Sequence, residues 1–347
     1  MRDCFAGEGY IFARKAEDIA REHGLERVAR LASNENPEPP ESGVIEEGCR
    51  VLQGVNRYPD ENMNDLKAML GQYHGDYHFV TGAGMDGIIE TSLRLLVNAG
   101  ESVAISGPTF SFYGLAASAQ GGKVISVPRD GNFDVDIERF IQAARHAKLS
   151  FLCTPNNPTG NETSPEDIAC ILEEIEGILF LDNAYVEFSD YDYRPLIERF
   201  DNLIIGRTMS KAFSLAGLRV GYAFVPAWII PYYKRAATPF SVNSVSAAAA
   251  ISALADRGHV DRIVRSVKEW RNRYMNECSY PVQPSGANFV LVDVSPFSGD
   301  QMAEKLAARG VIVRSCRSFW GLDDHYIRVS IGQDWECELF LKEINTI

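Results

Sequence analysis

Between residues 76 and 225 the chain repeats one unit: a short apolar run, a polar or glycine turn, then a helical stretch. The runs are YHFV (77–80), SVAIS (102–106), KVISV (123–127), LSFLC (149–153), ILFLD (178–182), NLIIG (202–206) and RVGYAFV (219–225). Helical patterns separate most of them, as over 85–97 and 165–176. Strands that are apolar throughout, rather than at alternate positions, must be covered on both faces. Helices packed on both sides of a parallel sheet provide that cover. The expected fold is therefore α/β with a mostly parallel central sheet, and its ligand residues lie in loops at the carboxyl ends of the strands.

The texture changes after Pro239. An alanine-rich helical region (244–278) leads to ANFVLVDV (287–294), a helix over 300–309, VIVRS (311–315), YIRVSIG (326–332) and a last helix. This predicts a smaller α+β unit over 239–347 beside a large domain over 41–238. Residues 1–40, a short amphipathic helix (15–23) and the proline-rich LASNENPEPP, form an arm packed on the small domain and the active site.

Acidic residues number 47 against 34 basic ones, giving a net charge of −13 with no basic block. That excludes nucleic acid and anionic membrane as partners, so an anionic ligand must be held by a few local arginines. The apolar stretch 242–255 falls short of the roughly 18 residues a membrane span needs. MRDCFAGEGY at the start carries acids and glycines in place of a signal's apolar centre. Seven cysteines without a C-x-x-C pair predict free core thiols, no metal and a reducing cytoplasm. The N-x-T triplet at Asn161 is then an accident.

Thr208-Met209-Ser210-Lys211 follows the run NLIIG. A lysine just past a strand end is either a surface residue or, if desolvated, an amine able to form an imine with an aldehyde. The neighbouring hydroxyls suit phosphate oxygens. Arg219, between Gly217 and Gly221, reads as a buried arginine in need of an anion. Asp182 ends ILFLD and is either a helix cap or the partner of a cation such as a protonated pyridine nitrogen. Tyr185 can reach the same ligand. PNNPTG (155–160) follows LSFLC and offers an asparagine amide at the sheet's edge. GAGMDG (82–87) matches G-x-G-x-x-G, but no acid ends the next strand to take a ribose, so a dinucleotide reading fails. What survives is a helix start, around Met85 and Asp86, that binds some phosphate. Phe110 either stacks on a flat ring or belongs to the core. This set is the inventory for pyridoxal 5′-phosphate.

The chain resembles the fold-type I aminotransferases, and among them the histidinol-phosphate aminotransferases. The resemblance rests on LASNENP (31–37), RYPD (57–60), GAGMDG, GPTFSFY (107–113), PNNPTG, LDNAY, RTMSKAFSLAGLRVGYA (207–223), ANF (287–289) and YIRVSIG, in the family's order over nearly the whole chain. It implies that Lys211 is the imine-forming lysine and the general acid/base. By the same resemblance Asp182 pairs with the ring nitrogen, Asn157 and Tyr185 bond the ring's phenolic oxygen, and Phe110 stacks on its face. Thr208, Ser210, Arg219 and the amides around Met85 and Asp86 hold the phosphate. Tyr58 reaches the phosphate in the neighbouring subunit's site, which makes a homodimer part of the mechanism. Arg328 matches the arginine that takes a substrate carboxylate, and Arg314 the family's additional arginine. Tyr10 and Asn34 line the substrate site, although Tyr10 reads equally as a hydrophobic anchor.

The implied reaction is amino transfer from L-histidinol phosphate to 2-oxoglutarate, giving imidazole acetol phosphate and L-glutamate in histidine biosynthesis. The rivals are L-threonine-O-3-phosphate decarboxylase and a broad aromatic aminotransferase. A ligand-sensing regulator on the same body would need an added DNA-binding module, for which the pattern leaves no room. Three positions depart from the family. Gly87 stands where an acid is common, Asn183 replaces the usual glutamate, and Ser214 stands where glycine is common.

Overall fold

The computed structural model describes residues 15–347. Its central sheet has seven strands: β2 (Phe79–Ala83), β3 (Ser102–Gly107), β4 (Lys123–Pro128), β5 (Leu149–Cys153), β6 (Ile178–Asp182), β7 (Leu203–Thr208) and β8 (Val220–Phe224). They lie in the order β2-β8-β7-β6-β5-β3-β4. The pairs β3–β4, β3–β5, β5–β6 and β6–β7 are parallel, while β8 runs antiparallel to both β2 and β7. Every residue of β5, β6, β7 and β8 is buried, as runs apolar on both faces require. The outermost strand β4 is largely exposed and begins at Lys123, a charge that discourages pairing with another chain.

The apolar runs place the strands to within two residues at nearly every end. The structure subdivides two of the segments. VIVRS is two short strands, β10 (Val311–Ile312) and β11 (Arg314–Ser315), which belong to different sheets. The helical region 244–278 is two helices, Ser244–Ala255 and Arg257–Glu277. Asp256 separates them because its carboxylate accepts from the Gly258 N–H and so caps the second helix.

β11, β12 (Tyr326–Ser330) and β9 (Phe289–Asp293) form a three-stranded antiparallel sheet. β1 (Ala29–Arg30) pairs in parallel with β10, so the segment before residue 40 is stitched onto the C-terminal part of the chain. Ser330 N–H donates to the Leu31 carbonyl at 2.8 Å, which continues that seam. Cys153, Cys316 and Cys337 are buried free thiols, but Cys49 and Cys170 lie at the surface. Among the described residues no helix is long and apolar enough to cross a membrane, and no group of three or more His, Cys, Asp or Glu could hold a metal.

Candidate active site

The parallel strands and β2 point their carboxyl ends to one edge of the sheet, and β8 starts there. A cavity of about 400 Å³ opens on that edge. Met85 and Asp86 enter it after β2, Phe110 after β3, Asn157 after β5, Asp182 and Tyr185 from β6, and Thr208, Ser210 and Lys211 from β7. Arg219 enters just before β8. Asn34 comes from the N-terminal segment, and Arg314 and Arg328 come from the smaller sheet.

Lys211 sits past the end of β7 in a turn whose start is tied by hydroxyls. Thr208 Oγ1 accepts from the Ser210 N–H at 3.1 Å and donates to Ser210 Oγ at 2.9 Å. The lysine Nζ lies 3.5 Å from the Ser33 carbonyl and 5.6 Å from the centre of the Tyr185 ring. Burial pushes its pKa down to about 8. The guanidinium groups of Arg328 and Arg219 act in the same direction, while Glu35 and Asp86 oppose them. A lysine of that kind is a usable nucleophile near neutrality.

Asp182 closes β6 and is buried. Its carboxylate accepts from the Tyr113 hydroxyl at 2.6 Å and from the Ala184 N–H at 2.9 Å. Burial raises its pKa to about 6, against the lowering effect of those two donors. Tyr113 is fully buried, stacks on Phe151 at 4.8 Å and is itself held far above the ordinary phenol range by burial and by Asp182. Sequence reasoning missed this residue. Its signal was a lone phenol three positions after Phe110 at the start of an apolar helix, where a buried hydroxyl needs a partner.

Arg328 donates to Asn157 Oδ1 and, at 2.6 Å, to the Ala32 carbonyl. Because the oxygen of the Asn157 amide is taken, its NH₂ is the free end for a ligand. Arg328 Nε is buried and has no hydrogen-bond partner among the described residues. Arg314 lies directly opposite Arg328 in the β11–β12 register and donates to Ser318 Oγ at 3.2 Å. Like charges directly opposite on a strand pair repel, and an anion bound beside both would relieve that repulsion.

Asn34 adopts the left-handed φ of 53°. Its amide donates to the Tyr185 hydroxyl at 3.1 Å and accepts from Ser330 Oγ at 3.0 Å, and Asn288 donates to its carbonyl at 3.1 Å. Asn34 therefore orients Tyr185 as well as lining the cavity. Asn288 and Ser330 are the supports that the sequence carried unnoticed inside ANF and YIRVSIG.

One expectation fails in part. Arg219 is exposed rather than buried, and its guanidinium meets Asp86 at 2.8 Å and Ser210 Oγ at 3.4 Å. It follows a short 3₁₀ turn and takes a left-handed φ of 52°, which swings the side chain over the helix Gly84–Leu96. Gly84, at φ 72°, makes room for it, since a β-carbon there would overlap the guanidinium. With both partners about half exposed, the ion pair adds little stability. What it does is hold a cation beside the first turn of a helix, a place suited to phosphate.

Tyr58 lies outside this cavity. Its side chain is 80% exposed and stacks on Phe240 at 4.5 Å. Tyr10 falls outside the described residues. Asn183, one of the departures, is buried and ties strands together, donating to the Thr154 carbonyl at 2.8 Å and from its N–H to the Gly206 carbonyl.

Residues 26–344 match the family model for class I and II aminotransferases. The chain is 58% identical to the histidinol-phosphate aminotransferase of Methanoculleus marisnigri, covering 100% of this chain and 99% of that one. It is 55% identical to that of Methanosphaerula palustris, over 98% and 97%. The crystal structure of the histidinol-phosphate aminotransferase of Sinorhizobium meliloti in complex with pyridoxal-5′-phosphate superposes with a TM-score of 0.88. That match has 26% identity and covers 100% of this chain and 96% of that one. Fold, cavity and kinship agree: the chain belongs to the histidinol-phosphate aminotransferases, within the class I and II aminotransferase family.

Proposed function

We propose that the protein transfers the amino group of L-histidinol phosphate to 2-oxoglutarate, forming imidazole acetol phosphate and L-glutamate, with pyridoxal 5′-phosphate as cofactor. The observation that carries this reading is one cavity shared by a low-pKa lysine, a buried carboxylate and two facing arginines. The donor set fits the cofactor. Thr208, Ser210, Arg219 and the amides of Met85 and Asp86 hold its phosphate, Asp182 keeps its ring nitrogen protonated, and Tyr185 and Asn157 bond its phenolic oxygen. Phe110 covers its face. The cofactor supplies an aldehyde for Lys211 and a ring that takes up electron density from the substrate's α-carbon.

Lys211 would take the proton from that carbon as a general base and deliver it, as a general acid, to the cofactor carbon that had carried the aldehyde. Its amine is suited to both roles because burial brings its pKa to about 8. Arg328 binds the carboxylate of glutamate or 2-oxoglutarate, and Arg314 joins it when the substrate presents a phosphate instead. Tyr58 serves the neighbouring subunit of a homodimer, and its place outside its own chain's cavity supports that assignment. We also propose residues 41–238 as the cofactor-holding domain, 239–347 as the small domain, 1–40 as the arm, and the cytoplasm as the location.

The deciding experiment adds L-histidinol phosphate to the cofactor-loaded protein and follows the visible spectrum, the products and CO₂. Loss of the lysine-linked band, with imidazole acetol phosphate formed and no CO₂, is the expected result. Release of CO₂ from L-threonine phosphate, with histidinol phosphate inert, would give the substrate assignment to the decarboxylase.

Two further results are expected. Arg314→Ala raises KM for histidinol phosphate by about 10–100-fold, the worth of a charge-assisted contact, with a much smaller effect on phenylalanine. Equal losses on both substrates would refute its phosphate role. In the cofactor-free protein, the rate of pyridoxal phosphate capture rises with pH through about 8 and levels above it, because only the neutral amine attacks. Stopped-flow absorbance from about pH 6 to about pH 11.5, which brackets both the shifted value and the ordinary lysine value, checks this.

A further inference from the structure

Ser214 closes the turn that begins at Lys211, its N–H donating to the Lys211 carbonyl at 3.2 Å. It does so at φ 60°, a left-handed conformation that suits glycine and strains a residue with a β-carbon. Its hydroxyl is not idle. It lies 2.9 Å from Nε2 of His259, a buried residue at the start of the helix Arg257–Glu277. On the other side of the ring, Nδ1 lies 3.5 Å from a carboxylate oxygen of Glu41, the residue preceding the helix Ser42–Val51. Arg262, one turn along from His259, pairs with the same Glu41 oxygen. The turn is held from its other end by Asn36, whose amide donates to the Ala212 carbonyl at 3.2 Å. None of His259, Glu41 and Arg262 lines the active-site cavity.

We propose that Ser214, His259 and Glu41 form a relay that fixes the turn carrying Lys211, making His259 a positioning residue for the lysine amine. Glu41 and Arg262 together orient the imidazole, the guanidinium lying 3.4 Å from the same Nδ1, the imidazole engages the Ser214 hydroxyl, and that contact maintains a strained turn that aims the amine. A serine–histidine–carboxylate row also describes an activated nucleophile. Arg262 argues against that role here, because it sits on the carboxylate oxygen that would have to stabilise an imidazolium. The inference rests on Lys211 being the reacting amine.

The test measures two things. The first is the pH dependence of Lys211 acylation in the cofactor-free protein, read by competitive labelling and mass spectrometry. The second is kcat and KM of the loaded enzyme. Ser214→Gly and His259→Ala are each expected to move the Lys211 titration upward, toward the ordinary lysine value. Each should lower kcat by about tenfold with KM nearly unchanged, the size expected of a small misplacement of a reacting group. The double variant should be no worse than either single one, because both break the same chain. His259→Gln, which keeps a polar group near the Nε2 position, should recover part of the loss.

A His259→Ala protein that loses thermal stability but titrates and turns over like wild type would overturn the proposal. So would additive losses in the double variant, or covalent labelling of Ser214 by a fluorophosphonate. If His259→Ala does not fold, Ser214→Gly decides alone, since glycine suits that φ. The labelling uses no substrate, so its failure is separate from that of the catalytic assignment, which a fully active Lys211→Ala protein would sink.

Discussion

Replacing Lys211 with alanine should cost at least about 10⁴-fold in turnover, because one side chain supplies both the imine-forming amine and the proton carrier. Binding of pyridoxal phosphate should survive. The phosphate donors Thr208, Ser210 and Arg219 keep their mutual contacts without the lysine, since none of those bonds passes through Nζ. The variant should therefore elute from a sizing column with cofactor bound but without the visible band of the lysine-linked form. Truncating Lys211 gives up a weak 3.5 Å contact between Nζ and the Ser33 carbonyl, so the melting temperature should move little. Small exogenous amines should restore part of the proton transfer. Turnover within tenfold of wild type, a difference of only about 1.4 kcal/mol in barrier, would remove Lys211 from the mechanism.

The second large effect is expected at Asp182. Asparagine there keeps the shape and leaves Tyr113 an oxygen to donate to, but it removes the negative charge that holds the ring nitrogen protonated. A fall in kcat of about 10²–10³-fold matches the loss of one preorganised electrostatic contact. Stability should move the other way in the cofactor-free protein. The carboxyl has a folded pKa of about 6, above the ordinary 3.8, so the folded state favours the protonated form. Its contribution is therefore best at low pH and is lost as pH rises from the ordinary value through about 6. The asparagine variant has no such loss. Relative to wild type it should gain stability between those limits and hold a constant advantage above them. Thermal unfolding of both proteins across that interval measures this directly, and a wild type that gains on the variant as pH rises would contradict the assigned burial cost.

The parallel sheet was legible because its evidence is local: LSFLC and ILFLD are apolar at every position, and that is enough to bury a strand on both faces. Strand ends then placed Asp182 and Lys211 at one edge without any knowledge of side-chain contacts. The break inside VIVRS stayed hidden for the converse reason. Its residues are all good strand formers, and nothing local reveals that Val313 separates pairing with β1 from pairing with β12. Tyr113 stayed hidden because its role depends on a bond to Asp182 from 69 positions away, which periodicity cannot express. Arg219 was misjudged because neighbouring glycines look the same whether they bury a side chain or let the backbone turn it outward. Ser214 was visible as an oddity, but its partner His259 is one residue on the buried face of an amphipathic helix, where nothing local points to a serine 45 positions away.

The seam between the first and last strands has a consequence for how the molecule is assembled. Arg328 holds the Ala32 carbonyl, and Ser330 holds Asn34, each across 296 positions of chain. Closing a loop of that length costs about 5 kcal/mol in chain entropy before the contact gives anything back. Such contacts form late, after the local strand–helix units have condensed. A partly folded chain can thus present the floor on which the cofactor rests while still lacking the clamp for a carboxylate. Activity arrives last, so turnover during refolding times the docking of the N-terminal segment rather than the formation of the sheet.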